Sequence, residues 1–153
     1  MLACLHRKKF RLPSRTSSHT FLSLPEDPTE TLLHQPFNLL AAFDRVTDYW
    51  SPRVIGQVND QLLKIAKLKG EFVWHAHENE DELFHIVRGS LLMQFEDGEV
   101  LLEEGDVLTV PKGTMHNPVA EEECWVLLIE PAATKHTGDV VTERTRSLED
   151  QLG

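Results

Sequence analysis

The sequence predicts an all-β fold, a small antiparallel β-barrel or double-sheet jelly roll with a short helix before it. Three observations carry that expectation. After Pro52 the chain becomes a series of apolar or alternating runs, each of strand length. The runs are separated by turn-forming pairs: Asn59-Asp60, Lys69-Gly70, Arg88-Gly89, Asp97-Gly98, Glu104-Gly105 and Lys112-Gly113. Asp97-Gly98 lies between two apolar runs, where a type I′ hairpin is expected. A chain of 153 residues with 41% hydrophobic content is long enough for one domain with its own core.

Residues 1–36 are set apart by charge. Arg7, Lys8, Lys9, Arg11 and Arg15 precede the first acidic residue, Glu26. The bias is that of a transit segment, but the stretch has no convincing amphipathic face, so it is read as a disordered basic extension. The body is expected over 37–131. It opens with FNLLAAFDRVTDYW, which spaces Leu39, Phe43, Val46 and Trp50 as a helical stripe that Ser51-Pro52 should end. About eight strands are expected to follow: VIGQV, LLKIAKL, EFVWHAH, LFHIV, LLMQF, EVLLE, DVLTV and CWVLLI. Such strands protect their edges by closing into a barrel or a double sheet. Residues 132–153 are expected as a polar C-terminal tail.

Composition excludes several partners. A net charge of −10 disfavours nucleic acid and anionic membrane surfaces. The longest apolar runs, such as Trp125 to Ile129, are far too short to span a bilayer as a helix. Cys4 and Cys124 make no disulfide framework, which points to a reducing, cytoplasmic setting. A homodimer is expected, because the Leu39–Trp50 stripe and an outward Trp74 supply apolar surface.

The chemistry is concentrated in GEFVWHAHENEDELFHIVRG, residues 70–89. On a strand, His75 and His77 project from one face together with Val73, and Phe72, Trp74 and Ala76 take the other. Glu82 shares parity with Phe84 and Ile86, so it points inward if they do, and His85 points outward with Leu83 and Val87. A buried carboxylate facing two buried imidazoles is costly unless compensated, and a divalent metal compensates it. A third histidine is offered by GDVLTVPKGTMHNP, in which His116 follows a tight turn. Imidazoles with one carboxylate suit one divalent transition metal ion (Fe, Mn, Ni, Co, Cu or Zn) better than calcium or magnesium.

These blocks resemble the two motifs of the cupin superfamily. Gly70, His75, His77, Glu82 and Gly89 look like the first, and Gly105, Pro111, Gly113 and His116 look like the second. Two departures stand out: Gly70 is one residue closer to His75 than usual, and Ala120 occupies the place of an expected asparagine, with Asn117 directly after His116. The resemblance implies a small single-domain cupin barrel with His75, His77, Glu82 and His116 as metal ligands. The remaining histidines, His6, His19, His34, His85 and His136, are assigned to packing or solvent. Val73, Phe84, Ile86 and Met93, with Leu91 and Phe95, are expected to wall an apolar pocket for a small organic molecule. Lys64, Lys67, Arg88 and Lys112 are read as surface charges. The expected function is a metal-dependent enzyme of the cupin type, an oxidoreductase of the oxygenase or dioxygenase kind before an isomerase or lyase. The alternative is a noncatalytic cupin that binds a metal or small ligand for sensing or storage.

Overall fold

The structure is a computed structural model in which residues 36–152 are described. The expected disordered extension over 1–36 lies, apart from Gln35's neighbour Pro36, outside the described residues. Within them the chain forms an antiparallel double-sheet jelly roll of seven strands. These are β1 (Arg53–Val58), β2 (Gln61–Glu71), β3 (Glu82–Arg88), β4 (Leu91–Phe95), β5 (Gly98–Leu102), β6 (Val107–Val110) and β7 (His116–Pro131). The path β1-β2-β7-β3-β6 carries β4 and β5 off β7 as a branch, so the sheet is not closed into a barrel.

The long strand β7 organises the interior. Its second half, Trp125–Ile129, is paired on both sides, by β2 and by β3, whereas its first half runs beside β4 and the end of β2. Alternation then sets the core. Leu62, Lys64, Ala66 and Leu68 of β2, Phe84 and Ile86 of β3, Leu91 and Met93 of β4, and Cys124, Val126 and Leu128 of β7 are all buried. The Cys124 thiol is free, and burial pushes its pKa up to about 12, so it behaves as a small apolar residue.

The helical stripe is only partly a helix. α1 spans Leu39–Ala42, capped by the Asn38 side chain accepting from Ala41 N at 3.0 Å, and a 3₁₀ turn over Phe43–Arg45 follows. The backbone is already extended at Val46, the first of two consecutive β-branched residues, and the remainder of the stripe is irregular. The apolar residues still bury: Phe43 stacks on Trp125 at 4.7 Å, and Val46 joins it and Ile65 in a second core cluster. The stripe therefore packs on its own chain. Trp74, with 42% of its surface exposed, remains outward.

Two turns differ from expectation. In the β4–β5 hairpin Phe95 pairs with Gly98, so the loop is Glu96-Asp97 and Gly98 already belongs to the strand. None of the three has positive φ, which excludes the type I′ turn. The segment EFVWHAH is not a strand beyond Glu71, and His75 meets His116 through an isolated bridge. The segment expected as a polar tail is packed: Thr134, Thr137 and Gln151 are buried, and α2 (Leu148–Leu152) contacts β1. Gly138 explains the close docking, since it adopts φ 56 and a Cβ there would lie 2.1 Å from the Ala76 carbonyl oxygen. Among the described residues no helix is long and apolar enough to cross a membrane.

Candidate metal centre

His75 and His116 are held together by their own backbones, His75 N to His116 O at 3.0 Å and His116 N to His75 O at 2.9 Å. Upstream, Phe72 N donates to Pro118 O at 3.0 Å. Between these contacts one segment advances from 72 to 75 and the other only from 118 to 116, so the first carries an extra residue, as at a β-bulge. The bulge resets the alternation: Phe72 and His75 are both buried, whereas Val73 is half-buried. Simple parity had placed Phe72 outside and Val73 inside. His77 is presented from the other end of this segment, where its carbonyl accepts from Gly113 N at 2.6 Å. Gly113, with φ 76, is the third residue of the Pro111–Thr114 turn and supplies the left-handed backbone that a type II turn asks for there. Glu82 opens β3 on the same face as Phe84 and Ile86.

The structure brings His75, His77, Glu82 and His116 together. All four are buried, and one ligand atom from each lies within 4.8 Å of the others. His77 Nε2 is 3.2 Å, and His116 Nε2 3.6 Å, from Glu82 Oε2. The ring of His75 has its Nδ1 2.9 Å from Val73 O, and that of His116 its Nδ1 2.9 Å from Thr114 O. Each Nδ1–H donates to its carbonyl, which leaves each Nε2 as a bare lone pair; such outer contacts orient imidazoles for metals. His116 Nε2 is fully buried without a hydrogen-bond partner. An unpartnered lone pair next to a carboxylate is what a cation would satisfy, so these residues fit a divalent metal.

Electrostatics agree. Burial, reinforced by His116, lowers the His75 pKa to about 4, which keeps that ring neutral. For His77, burial pulls the pKa down, but the hydrogen bond and charge of Glu82 outweigh it and the net shift is upward. Burial opposes ionisation of Glu82, yet the neighbouring His116 and His77 rings hold its pKa well below the usual carboxylate range. His85, on the opposite face of β3, is half-buried and contacts Asp106 O at 3.3 Å, away from the cluster.

A cavity of about 30 Å³ adjoins the cluster, with His75 and Glu82 in its wall. Phe84 also lines it. Ile86 and Met93 are fully buried in the surrounding core and Val73 packs against that core, so none of these three is in the wall. Trp50, Phe72 and His136 line the cavity instead. The assignment of His136 to packing or solvent is thus incomplete, and its source is the segment read as a tail.

Lys64 is a plain correction. Read as a surface charge, it is 1% exposed, with Nζ 2.6 Å from Glu130 Oε1. The signal was present in β2, where Leu62, Lys64, Ala66 and Leu68 share parity, and in β7, where Val126, Leu128 and Glu130 do. Burial, and then the charge of Glu82, push the Glu130 pKa up to about 7, while Lys64 draws it back. Lys67 and Arg88 do lie outside, over the Trp125 ring at 5.1 and 4.2 Å.

Comparison with known proteins accords with this architecture. The family model described as cupin domain matches residues 62–130, which include all four clustered residues. A cupin-2 domain containing protein from Shewanella frigidimarina is 40% identical, covers 67% of this chain and 98% of its own, and superposes with a TM-score of 0.62. Protein NMB1881 from Neisseria meningitidis is 31% identical over 63% of this chain and 99% of its own, with a TM-score of 0.59. The uncharacterized protein YdbB of Bacillus subtilis is 41% identical over 80 residues, 52% of this chain and 71% of its own. The chain belongs to the cupin superfamily and carries a buried His/His/Glu/His group that could hold a metal ion.

Proposed function

We propose that this protein is a metal-dependent enzyme acting on a small organic molecule, with His75, His77, Glu82 and His116 as the ligands of one divalent transition metal ion. The observation that carries the reading is the convergence of the four ligand atoms within 4.8 Å, beside a mostly apolar cavity whose wall includes two of the same residues. Three neutral imidazoles and one carboxylate leave a divalent ion with a local charge of about +1, able to polarise a substrate oxygen or to engage dioxygen. The chain supplies the rest. Val73 O and Thr114 O aim the rings, and Phe72, Phe84 and Leu128 exclude water from the space beside them. Oxygenase chemistry, of dioxygenase type, is the preferred class, followed by isomerase or lyase.

The second reading is a noncatalytic cupin that binds a metal or small ligand, and the small size of the cavity favours it. Elemental analysis of protein purified without added metal, followed by oxygen-uptake assays on a panel of small organic acids and carbonyl compounds, separates the two. About one transition-metal ion per chain with substrate-dependent oxygen uptake supports the enzyme; metal without turnover on any class supports the binder; protein that takes up no metal defeats both metal-centred forms.

We further propose a cytoplasmic homodimer. A buried free Cys124 accords with a reducing compartment. Trp74, Phe37 and Leu40 offer exposed apolar surface for a second copy, in place of the stripe residues that fold onto their own chain. A monodisperse monomer at high concentration in light scattering would remove the dimer.

A further inference from the structure

The cavity has two walls of different origin. His75, Glu82 and Phe84 come from the stretch matched by the family model, residues 62–130, whereas Trp50, Pro52 and His136 come from the segments flanking it. Those flanks are braced. Trp50 adopts φ 56, uncommon for a bulky residue. It is held there by Trp50 N to Lys67 O at 3.0 Å, by its indole Nε1 to Lys69 O at 2.8 Å, and by stacking on Phe72 at 4.7 Å. The segment carrying His136 is tied down as tightly. Thr137 Oγ1 bonds the Thr145 hydroxyl at 2.8 Å, Gly138 abuts Ala76, and the Arg144 guanidinium donates to the Glu71 carbonyl while lying over the Trp50 ring.

His136 is the cavity's polar group outside the ligand cluster. Its Nδ1 accepts from Arg146 N at 3.3 Å, so in the neutral ring the proton sits on Nε2. Burial, its largest influence, lowers its pKa to about 4, so the ring is a neutral donor near pH 7. Its ring centroid is 5.2 Å from that of Phe72, which places the imidazole at the edge of the Trp50–Phe72 stack.

We propose that His136 is the specificity-determining residue of this cavity, donating from Nε2 to the carboxylate oxygen of a small organic acid whose apolar part packs against Trp50 and Phe72. The inference deepens the metal-centre reading and rests on it for the placing of the acid beside the metal ligands. It also assigns selectivity to segments outside the stretch matched by the family model: residues 62–130 supply the metal ligands, and the flanks choose what reaches them. The volume of about 30 Å³ restricts the enclosed part to a few heavy atoms.

The test uses acetate, with acetone as a neutral carbonyl control, in two arms. In the first, protein labelled with ¹⁵N-histidine is titrated with and without diamagnetic Zn(II), and the His136 ring nitrogens are followed by NMR. The expected result is a proton on Nε2 at pH 7 and a saturable shift with acetate but not acetone. A proton on Nδ1, no acetate response, or an equal response to acetone overturns the proposal. In the second, acetate binding to Co(II)-loaded protein is measured by calorimetry. Loss of a charge-assisted hydrogen bond predicts roughly tenfold or greater weakening in His136→Leu with Co(II) content unchanged. His136→Gln, whose amide can donate from nearly the same position, should stay within about threefold of wild type. Equal acetate affinity in folded His136→Leu overturns the role of His136. Protein that binds no Co(II) but gives the expected NMR response defeats the metal reading alone.

Discussion

Two buried polar groups share one β-interior and solve the same electrostatic problem in opposite ways. Lys64 and Glu130 bring their own counter-charges, 2.6 Å apart on the neighbouring strands β2 and β7. The cluster of His75, His77, Glu82 and His116 does not: it gathers one carboxylate with three rings, and the Nε2 of His116 meets no partner. The pair holds both of its charges within the chain, whereas the cluster holds one carboxylate that a cation could match. The two are also neighbours. Glu82 and Glu130 stand one step beyond the Leu83–Ile129 register pair, and the charge of Glu82 helps to raise the pKa of Glu130. Burial alone therefore does not mark a ligand; the convergence of four ligand atoms on one point does.

If that distinction holds, breaking the pair should harm the fold and breaking the cluster should harm metal binding. The largest effect is expected from Glu130→Leu, which strands the Lys64 ammonium in the interior and should cost about 3–5 kcal/mol of unfolding free energy by urea titration. A loss under 1 kcal/mol would show that water reaches Lys64. Next is acid. The rings of His75 and His136 take up protons in the unfolded chain near pH 6.5 but in the folded one only near 4. Between those values each of these rings makes the metal-free protein less stable as pH falls, by roughly 3 kcal/mol per ring at most, while Glu130, with its pKa raised to about 7, opposes them down to its unfolded value. His77, with its raised pKa, works the other way: its contribution is complete below pH 6.5 and is lost on passing its folded value. Thermal melts from pH 7 to 4 in which His136→Leu declines as steeply as wild type would remove the assignment of a neutral His136 ring.

His77→Ala should leave a folded protein whose metal affinity drops more than about a hundredfold, and His85→Ala should leave stoichiometry unchanged. Equal loss in both, measured by elemental analysis after dialysis, would refute the face assignment on β3. For the loaded protein, metal release is expected on acidification, because protons compete with the metal for the ligating imidazoles. The smallest effect sharpens the comparison most. Replacing both members of the pair, Lys64→Met with Glu130→Leu, should lie within about 1 kcal/mol of wild type or be stabilising, because no charge is left unpaired. Full metal binding in that double variant would confine the pair to a structural role, and weakened binding would show it acting on Glu82.

The alternation of β3 and β4 could be read from residue type alone, and with it the inward Glu82, Phe84, Ile86, Leu91 and Met93. The two motif blocks likewise marked four residues that the structure gathers. Alternation failed where the backbone changed phase. Nothing in EFVWHAH announces the extra residue that brings both Phe72 and His75 inside, because a bulge depends on pairing with the Asn117–Pro118 stretch of another strand. Glu96-Asp97 forms the hairpin turn although Asp97-Gly98 was the stronger local signal, since the register of β4 against β5 decides which residues remain unpaired. At Lys64 position overrides residue type: its place on the inward face of β2 buries the charge.

The sequence by itself determined the strand periodicity, the inward parity of most core residues, and the set of side chains able to bind a metal. Those properties are local, fixed by the two-residue repeat of extended backbone and by donor chemistry. Only the tertiary structure decided that Lys64 and Glu130 neutralise each other, that the stripe from Phe43 to Trp50 folds back on its own chain, and that His136 reaches the cavity. Each joins residues remote in sequence, and such contacts are selected by the packing of the whole interior, to which no short stretch of chain has access.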